Sequence, residues 1–105
     1  MVAGNTILLK PAPCVPKTSL LLERYFLESG FDKDEFQVIL SNNEQMEKEI
    51  IPDGRIRYVV FTGSTNSGSH IGALAGKNLK RSLLELGGSD PSIVLEDCDI
   101  DKVRI

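Results

Sequence analysis

The chain has 105 residues, 41% hydrophobic and 26% charged, with a formal net charge of −3. Those values fit one soluble domain at most, with a modest core. They exclude the basic footprint of a nucleic-acid or anionic-membrane binder, and neither a membrane-length apolar run nor a signal pattern is present, so the cytoplasm is the expected location.

In chain order, Thr6 to Lys10 is a short apolar run ended by Pro11 and reads as a buried strand. Pro11, Pro13 and Pro16 make a loop, and a helix follows from about Lys17 to Ser29, with Leu21, Leu22, Tyr25 and Phe26 on one face and Gly30 as its stop. Phe36 to Leu40 is the second strand. Ser41-Asn42-Asn43 supplies a turn and a cap for a short helix near Glu44 to Ile51, with Met46 and Ile50 stacked and Pro52-Asp53-Gly54 as the break. Tyr58 to Phe61 is apolar on both faces, as in a parallel sheet covered by helices. Gly63-Ser64-Thr65 opens a helix through about Asn78, with an apolar face of Ile71, Leu74 and Ala75 and with Gly72, Ala73 and Gly76 permitting close approach. Ser82 to Leu86 and Ser92 to Leu95 read as further strands, and Asp97 to Ile105 as the start of another helix. This alternation implies an α/β fold with an open parallel sheet and helices on both faces.

Ligands of such sheets bind beyond the carboxyl ends of the strands, and Lys10, Thr62-Gly63-Ser64 and Glu85 all fall at such ends, placing them on one rim. Gly63-Ser64-Thr65-Asn66-Ser67-Gly68 joins strand to helix, where free amides and the helix dipole favour a phosphate and the glycine admits a diphosphate. It is neither G-x-G-x-x-G nor a P-loop, and a capped helix behind a tight turn fits it as well. Lys10 alone also fits a solvated strand end. Glu85 is either an exposed strand-end carboxylate or, among Leu83, Leu84 and Leu86, a carboxylate in an apolar setting with its pKa raised toward that of a general base. Gly87 and Gly88 leave space beside it. His70, the single histidine, has no partner motif and reads as a surface helix residue. Cys14 and Cys98 form no metal or redox spacing; both are expected to be free, buried or half-buried thiols, and the acidic neighbours of Cys98 disfavour a thiolate.

Lys10-Pro11-Ala12, Phe61-Thr62-Gly63-Ser64-Thr65 and Leu84-Glu85-Leu86-Gly87-Gly88, in that order and spacing, resemble the cofactor-binding core of the aldehyde dehydrogenase family. Residues 72 to 91, ending in Ser89-Asp90-Pro91, are most similar to succinate-semialdehyde dehydrogenases of bacterial type. The resemblance implies that residues 1–105 are part of a Rossmann-like NAD(P)-binding domain, from an enzyme oxidising a small-molecule aldehyde to its acid. It implies Glu85 as the catalytic base that activates the deacylating water. It implies Lys10, Gly63, Ser64, Gly68, Leu86 and Gly87 as cofactor-binding residues, with Lys10 on the adenosine ribose. The cofactor is NAD or NADP: many NAD-preferring members carry an acidic residue where this chain has Pro13, which leaves the preference open. In the family the nucleophilic cysteine would lie beyond Ile105 and the oxyanion-stabilising asparagine before Met1. The expectation is therefore a truncated chain, inactive alone and prone to self-association, with no metal and with neither nucleic acid nor membrane as partner. The alternative is a non-catalytic dinucleotide-binding or interaction module.

Overall fold

Strand, helix and parallel strand recur twice along the chain, and each recurrence folds as its own βαβ unit, Met1–Arg55 and Ile56–Ile105. The computed structural model describes residues 1–102.

In the first unit, β1 (Ile7–Leu9) pairs in parallel with β2 (Phe36–Val38), Ile7 opposite Phe36 and Leu9 opposite Val38. The crossover is α1 (Pro16–Glu28), which starts with proline, where the missing amide costs no helical bond. It ends at Gly30, whose φ of 90° suits glycine. The Phe31 amide donates to the Phe26 carbonyl at 3.1 Å and the Gly30 amide to that of Leu27 at 3.0 Å. The Phe26 and Phe31 rings meet edge to face at 5.2 Å, the apolar contact that accompanies this helix stop. Phe26 also stacks on Phe36, the most buried ring of the chain. A short helix, α2 (Asn43–Gln45), follows β2. The Gln45 amide donates to the Asn42 side chain at 2.8 Å and the Asn42 amide to that of Gln45 at 3.2 Å, a reciprocal cap. The helix widens into a π-helical turn over Met46–Ile50, with the Ile51 amide bonded to the Met46 carbonyl. That extra residue turns Ile51 inward, where it is buried, and leaves Met46 and Ile50 half-buried.

In the second unit, β3 (Tyr58–Thr62) pairs in parallel with β4 (Arg81–Glu85) through the crossover α3 (Thr65–Lys77). Side chains alternate across a strand, so one face of the pair presents Val59, Phe61 and Leu84 to α3. The helix packs there through Gly68, Gly72 and Ala75, and Gly68 and Ala75 are buried. The other face carries Tyr58, Val60, Thr62, Arg81, Leu83 and Glu85, all exposed. At the end of α3, Leu79 takes a left-handed φ of 55° while the Lys80 and Leu79 amides close on Ala75 and Gly76, the same stop as in α1 but without its glycine.

The α/β class with parallel strands is as expected, but the strands pair two by two, and β3 and β4 are covered on one face. Ser92 to Leu95 forms no strand: among the described residues no neighbour completes its ladder, and Ile93 and Leu95 are exposed. α1 does not bury the expected stripe. It turns Ser19, Glu23 and Phe26 inward and leaves Leu21, Leu22 and Tyr25 exposed, because the Glu23 carboxylate accepts the Val38 amide at 2.7 Å on β2. Gly76 and Ala73 are exposed, and the close approaches fall at Gly68 and Gly72. Of the expected terminal helix, one 3₁₀ turn is present at Ile100–Lys102; residues 103–105 lie outside the described residues. Cys98 is half-buried as expected, whereas Cys14 is exposed, on the proline loop. No helix among the described residues is long and apolar enough to cross a membrane.

Candidate functional site

The second unit gathers Gly63, Ser64, Gly68, Glu85, Leu86 and Gly87, and the register of its two strands is what does so. Thr62 lies opposite Glu85 on the last rung, and the Gly63 amide donates to the Glu85 carbonyl at 3.1 Å. Both chains leave the sheet there, one into α3 and the other into Leu86-Gly87-Gly88. A Cβ on Gly87 would stand 3.5 Å from Thr65 Oγ1, so this turn lies against the start of α3. Ser64 caps that helix: its hydroxyl accepts the Ser67 amide at 3.2 Å and donates to Ser67 Oγ at 3.0 Å. The amides of Thr65 and Asn66 are first-turn donors that no helical carbonyl can satisfy, and the first turn has no acidic side chain to compete with an anion.

Packing gives Gly63 and Gly68 a part besides the cofactor-binding one expected of them. Gly63 and Gly68 make room for the protein's own side chains. A Cβ on Gly63 would meet the Phe61 ring at 2.6 Å, and one on Gly68 would meet Leu86 Cδ2 at 2.1 Å. Leu86 points under α3, which fixes the backbone of the turn after Glu85. The apolar setting expected of Glu85 is also absent: Leu84 and Leu86 lie on the α3 side of β4, and the carboxylate projects from the opposite, exposed face. His70 is exposed on α3, as expected.

Lys10 belongs to the first unit and has its own surroundings there. Its ammonium donates to Asn43 Oδ1 at 3.2 Å, at the head of α2. The same unit has an open cleft of about 330 Å³, lined by Pro11, Pro13, Pro16, Leu40, Ser41 and Asn42. That volume is at the small end of ligand clefts. Ser41 Oγ is buried there with no hydrogen-bond partner among the described residues. Ser41, Asn43 and Thr65 were not read from the sequence as site residues. The signal available was the turn-forming Ser41-Asn42-Asn43 directly after an apolar strand, which also serves as a helix cap.

Comparison with known proteins identifies the family. The model of the aldehyde dehydrogenase family matches residues 1–104, and the chain belongs to that family. It is 47% identical over 105 residues to an aldehyde dehydrogenase of Paenarthrobacter nicotinovorans and 42% identical over 101 residues to the succinate semialdehyde dehydrogenase [NAD(P)+] Sad of Escherichia coli. Those alignments take in 97% and 96% of this chain and 22% of each relative. Among solved structures, it superimposes with a TM-score of 0.84, at 37% identity, on the succinic semialdehyde dehydrogenase of Streptococcus pyogenes in complex with NADP+, covering 95% of this chain and 22% of that one. The chain thus spans about a fifth of the length of the relatives it matches.

Proposed function

We propose that this chain is the cofactor-facing segment of an NAD(P)-dependent aldehyde dehydrogenase of succinate-semialdehyde type, part of its dinucleotide-binding domain. The whole enzyme acts on a small-molecule aldehyde in the cytoplasm, without nucleic acid or membrane as partner, and the segment alone is inactive. The observation that carries the reading is the last rung of β3 and β4, which sets Glu85 beside the Thr62-Gly63-Ser64 turn and lays Gly87 against Thr65. The residues fit a dinucleotide at two places. The Lys10 ammonium, 3.2 Å from Asn43 Oδ1, suits a ribose or phosphate oxygen. The open first turn of α3 behind Ser64 suits a phosphate.

When bound, the nicotinamide supplies the acceptor for the hydride that the aldehyde loses. The chain's own groups hold and orient. Lys10 neutralises and hydrogen-bonds the nucleotide end, the Thr65 and Asn66 amides receive phosphate oxygen, and Leu86 anchors the turn that carries Gly87 past the site. In the whole enzyme the Glu85 carboxylate would take a proton from the water that attacks the acyl carbon, so that the carbon–sulfur bond to the nucleophilic cysteine breaks, the thiolate leaves and the acid is released. One observation favours the second reading, a binding module without chemistry: in this segment Glu85 stands exposed, with no apolar wall around it.

Calorimetric titration with NAD+ and NADP+ tests both readings. Binding should weaken about tenfold in Lys10→Ala, the loss of one charge-assisted hydrogen bond. It should be unchanged in Glu85→Gln. Gly63→Val is not a usable control, because its side chain would collide with Phe61 before any ligand arrived. Absence of binding by either dinucleotide, with the fold intact by circular dichroism, would remove the cofactor reading. Tighter binding of NADP+ than NAD+ would assign the 2′-phosphate to Lys10 if Lys10→Ala abolished the difference.

A further inference from the structure

We propose that Asn43 is a positioning residue for Lys10: its side-chain amide holds the ammonium at the carboxyl end of β1 without neutralising it, and so reserves the charge for a 2′-phosphate on the adenosine ribose of the dinucleotide. This role presupposes that Lys10 is the cation at the ribose end, as proposed above. Lys10 and Asn43 lie 33 positions apart, and the main chain brings them together. Leu9 is opposite Val38 on the last rung of the first strand pair, and the Ile39 amide donates to the Leu9 carbonyl at 2.9 Å. Both strands therefore end at the same edge of the unit, one running into Lys10 and the other into Leu40, Ser41 and Asn42. The reciprocal hydrogen bonds between Asn42 and Gln45 then fix the turn on which Asn43 stands. The contact is made within the first unit, between groups that this chain itself supplies.

Lysine carries its charge on a flexible stem, and a ligand that captures it must stop that motion. A partner that already holds the ammonium removes part of this cost, which is how preorganisation raises affinity. Asn43 Oδ1 accepts from Lys10 Nζ at 3.2 Å, taking one of the three ammonium donors and leaving the others to the ligand. The chemistry of the acceptor decides what that ligand is. A carboxylate in the same place would hold the lysine more tightly, but it would cancel the charge and repel an anion. An amide carbonyl has no net charge, so the pair stays cationic. The neighbouring acid does not take over this part: Glu44 is held by Lys48 Nζ at 2.6 Å, and Lys10 meets the amide. A cationic pair favours a 2′-phosphate, with a charge of about −1.5 to −2 at neutral pH, over a 2′-hydroxyl with none.

Calorimetric titration of the chain with adenosine 2′,5′-bisphosphate and with adenosine 5′-monophosphate reads the ribose end alone, since neither ligand carries the nicotinamide half of the cofactor. The wild type should bind the bisphosphate at least about tenfold more tightly. Asn43→Asp keeps the shape and the hydrogen bond but supplies the carboxylate. It should remove most of that preference and leave the monophosphate within about twofold. Asn43→Ala should weaken the bisphosphate about threefold, and should weaken it no further in a Lys10→Ala background, because a residue that acts through the ammonium has nothing to act on once it is gone. Asn43 is exposed and alanine suits a helix, so both variants should keep the wild-type circular dichroism. Three results overturn the proposal while a loss of binding in Lys10→Ala leaves the cofactor reading standing: a wild type without the preference, an Asn43→Asp variant that keeps it, or an Asn43→Ala variant whose loss is nil or is equal in both backgrounds. A folded wild-type chain that binds neither ligand overturns the cofactor reading and this proposal together.

Discussion

Replacing Gly68 by alanine separates the two meanings a glycine in this motif can have. In the helix interior glycine to alanine normally stabilises by about 1 kcal/mol. At Gly68 the new Cβ would stand 2.1, 2.8 and 3.0 Å from Cδ2, Cδ1 and Cγ of Leu86. All three branch atoms obstruct it, so turning one methyl aside does not relieve the contact. Overpacking of that kind costs about 1–3 kcal/mol, which leaves a net loss of up to about 2 kcal/mol. Gly76, in the same helix, is exposed and has nothing within 4 Å, so Gly76→Ala should gain the propensity term alone. In a domain of this size 1 kcal/mol moves Tm by about 4–8 °C, so thermal unfolding should shift the two variants in opposite directions. In a Leu86→Ala background the obstruction is gone, and Gly68→Ala should then stabilise as Gly76→Ala does. Gly68→Ala and Gly76→Ala moving Tm upward together would refute the packing account.

Other variants address single contacts. Leu79→Gly relieves a left-handed residue at the end of α3 and should stabilise by up to about 1 kcal/mol, because the strain removed exceeds the entropy glycine adds to the unfolded chain; denaturant midpoints with an unchanged m-value would show it. Asn42→Ala removes half of the reciprocal cap on α2 and should cost about 1 kcal/mol, with faster amide exchange at Gln45. Glu23→Ala strips the acceptor from the Val38 amide and should cost about 1–3 kcal/mol. Exchange at Val38 should accelerate more than at Ile39, whose amide is held by the Leu9 carbonyl.

The elements were legible in the sequence wherever a local rule was sufficient. Gly30 stops α1 because a left-handed residue is needed there, and Asn42 caps α2 because its side chain reaches the third amide. What depends on a partner elsewhere in the chain was not legible. Ser92 to Leu95 has the composition of a strand, but a strand exists only against a ladder, and the described residues offer it none. The spacing of Leu21, Leu22 and Tyr25 marks an apolar stripe, yet α1 is oriented by a polar contact that spacing cannot reveal: Glu23 answers an amide on β2 that has no strand beside it among the described residues. The two-residue repeat of the strands also could not distinguish a sheet buried on both faces from one covered by a single helix. Tyr58 to Phe61 is apolar throughout, and only the register with β4 shows that alternate residues face water.

For the site, residue types were readable and their division of labour was not. Gly63 reads as admitting a diphosphate to the backbone, and in the fold a Cβ at Gly63 would meet Phe61 and one at Gly68 would meet Leu86. This makes the motif more coherent, because Leu86 of the second motif fills the hollow left by Gly68 of the first. One turn therefore holds the other in place, and the two stretches have to be read together even though they lie eighteen positions apart in sequence. It also explains the placement of Glu85. With Leu84 and Leu86 both drawn under α3, alternation alone forces the carboxylate between them to the opposite face, at the carboxyl end of the sheet beside Thr62. A leucine on each side of a glutamate is thus a means of aiming the carboxylate away from the helix that the leucines anchor. Changing Leu86 should accordingly disturb the position of Glu85 and the packing of Gly68 together, whichever ligand the turn receives.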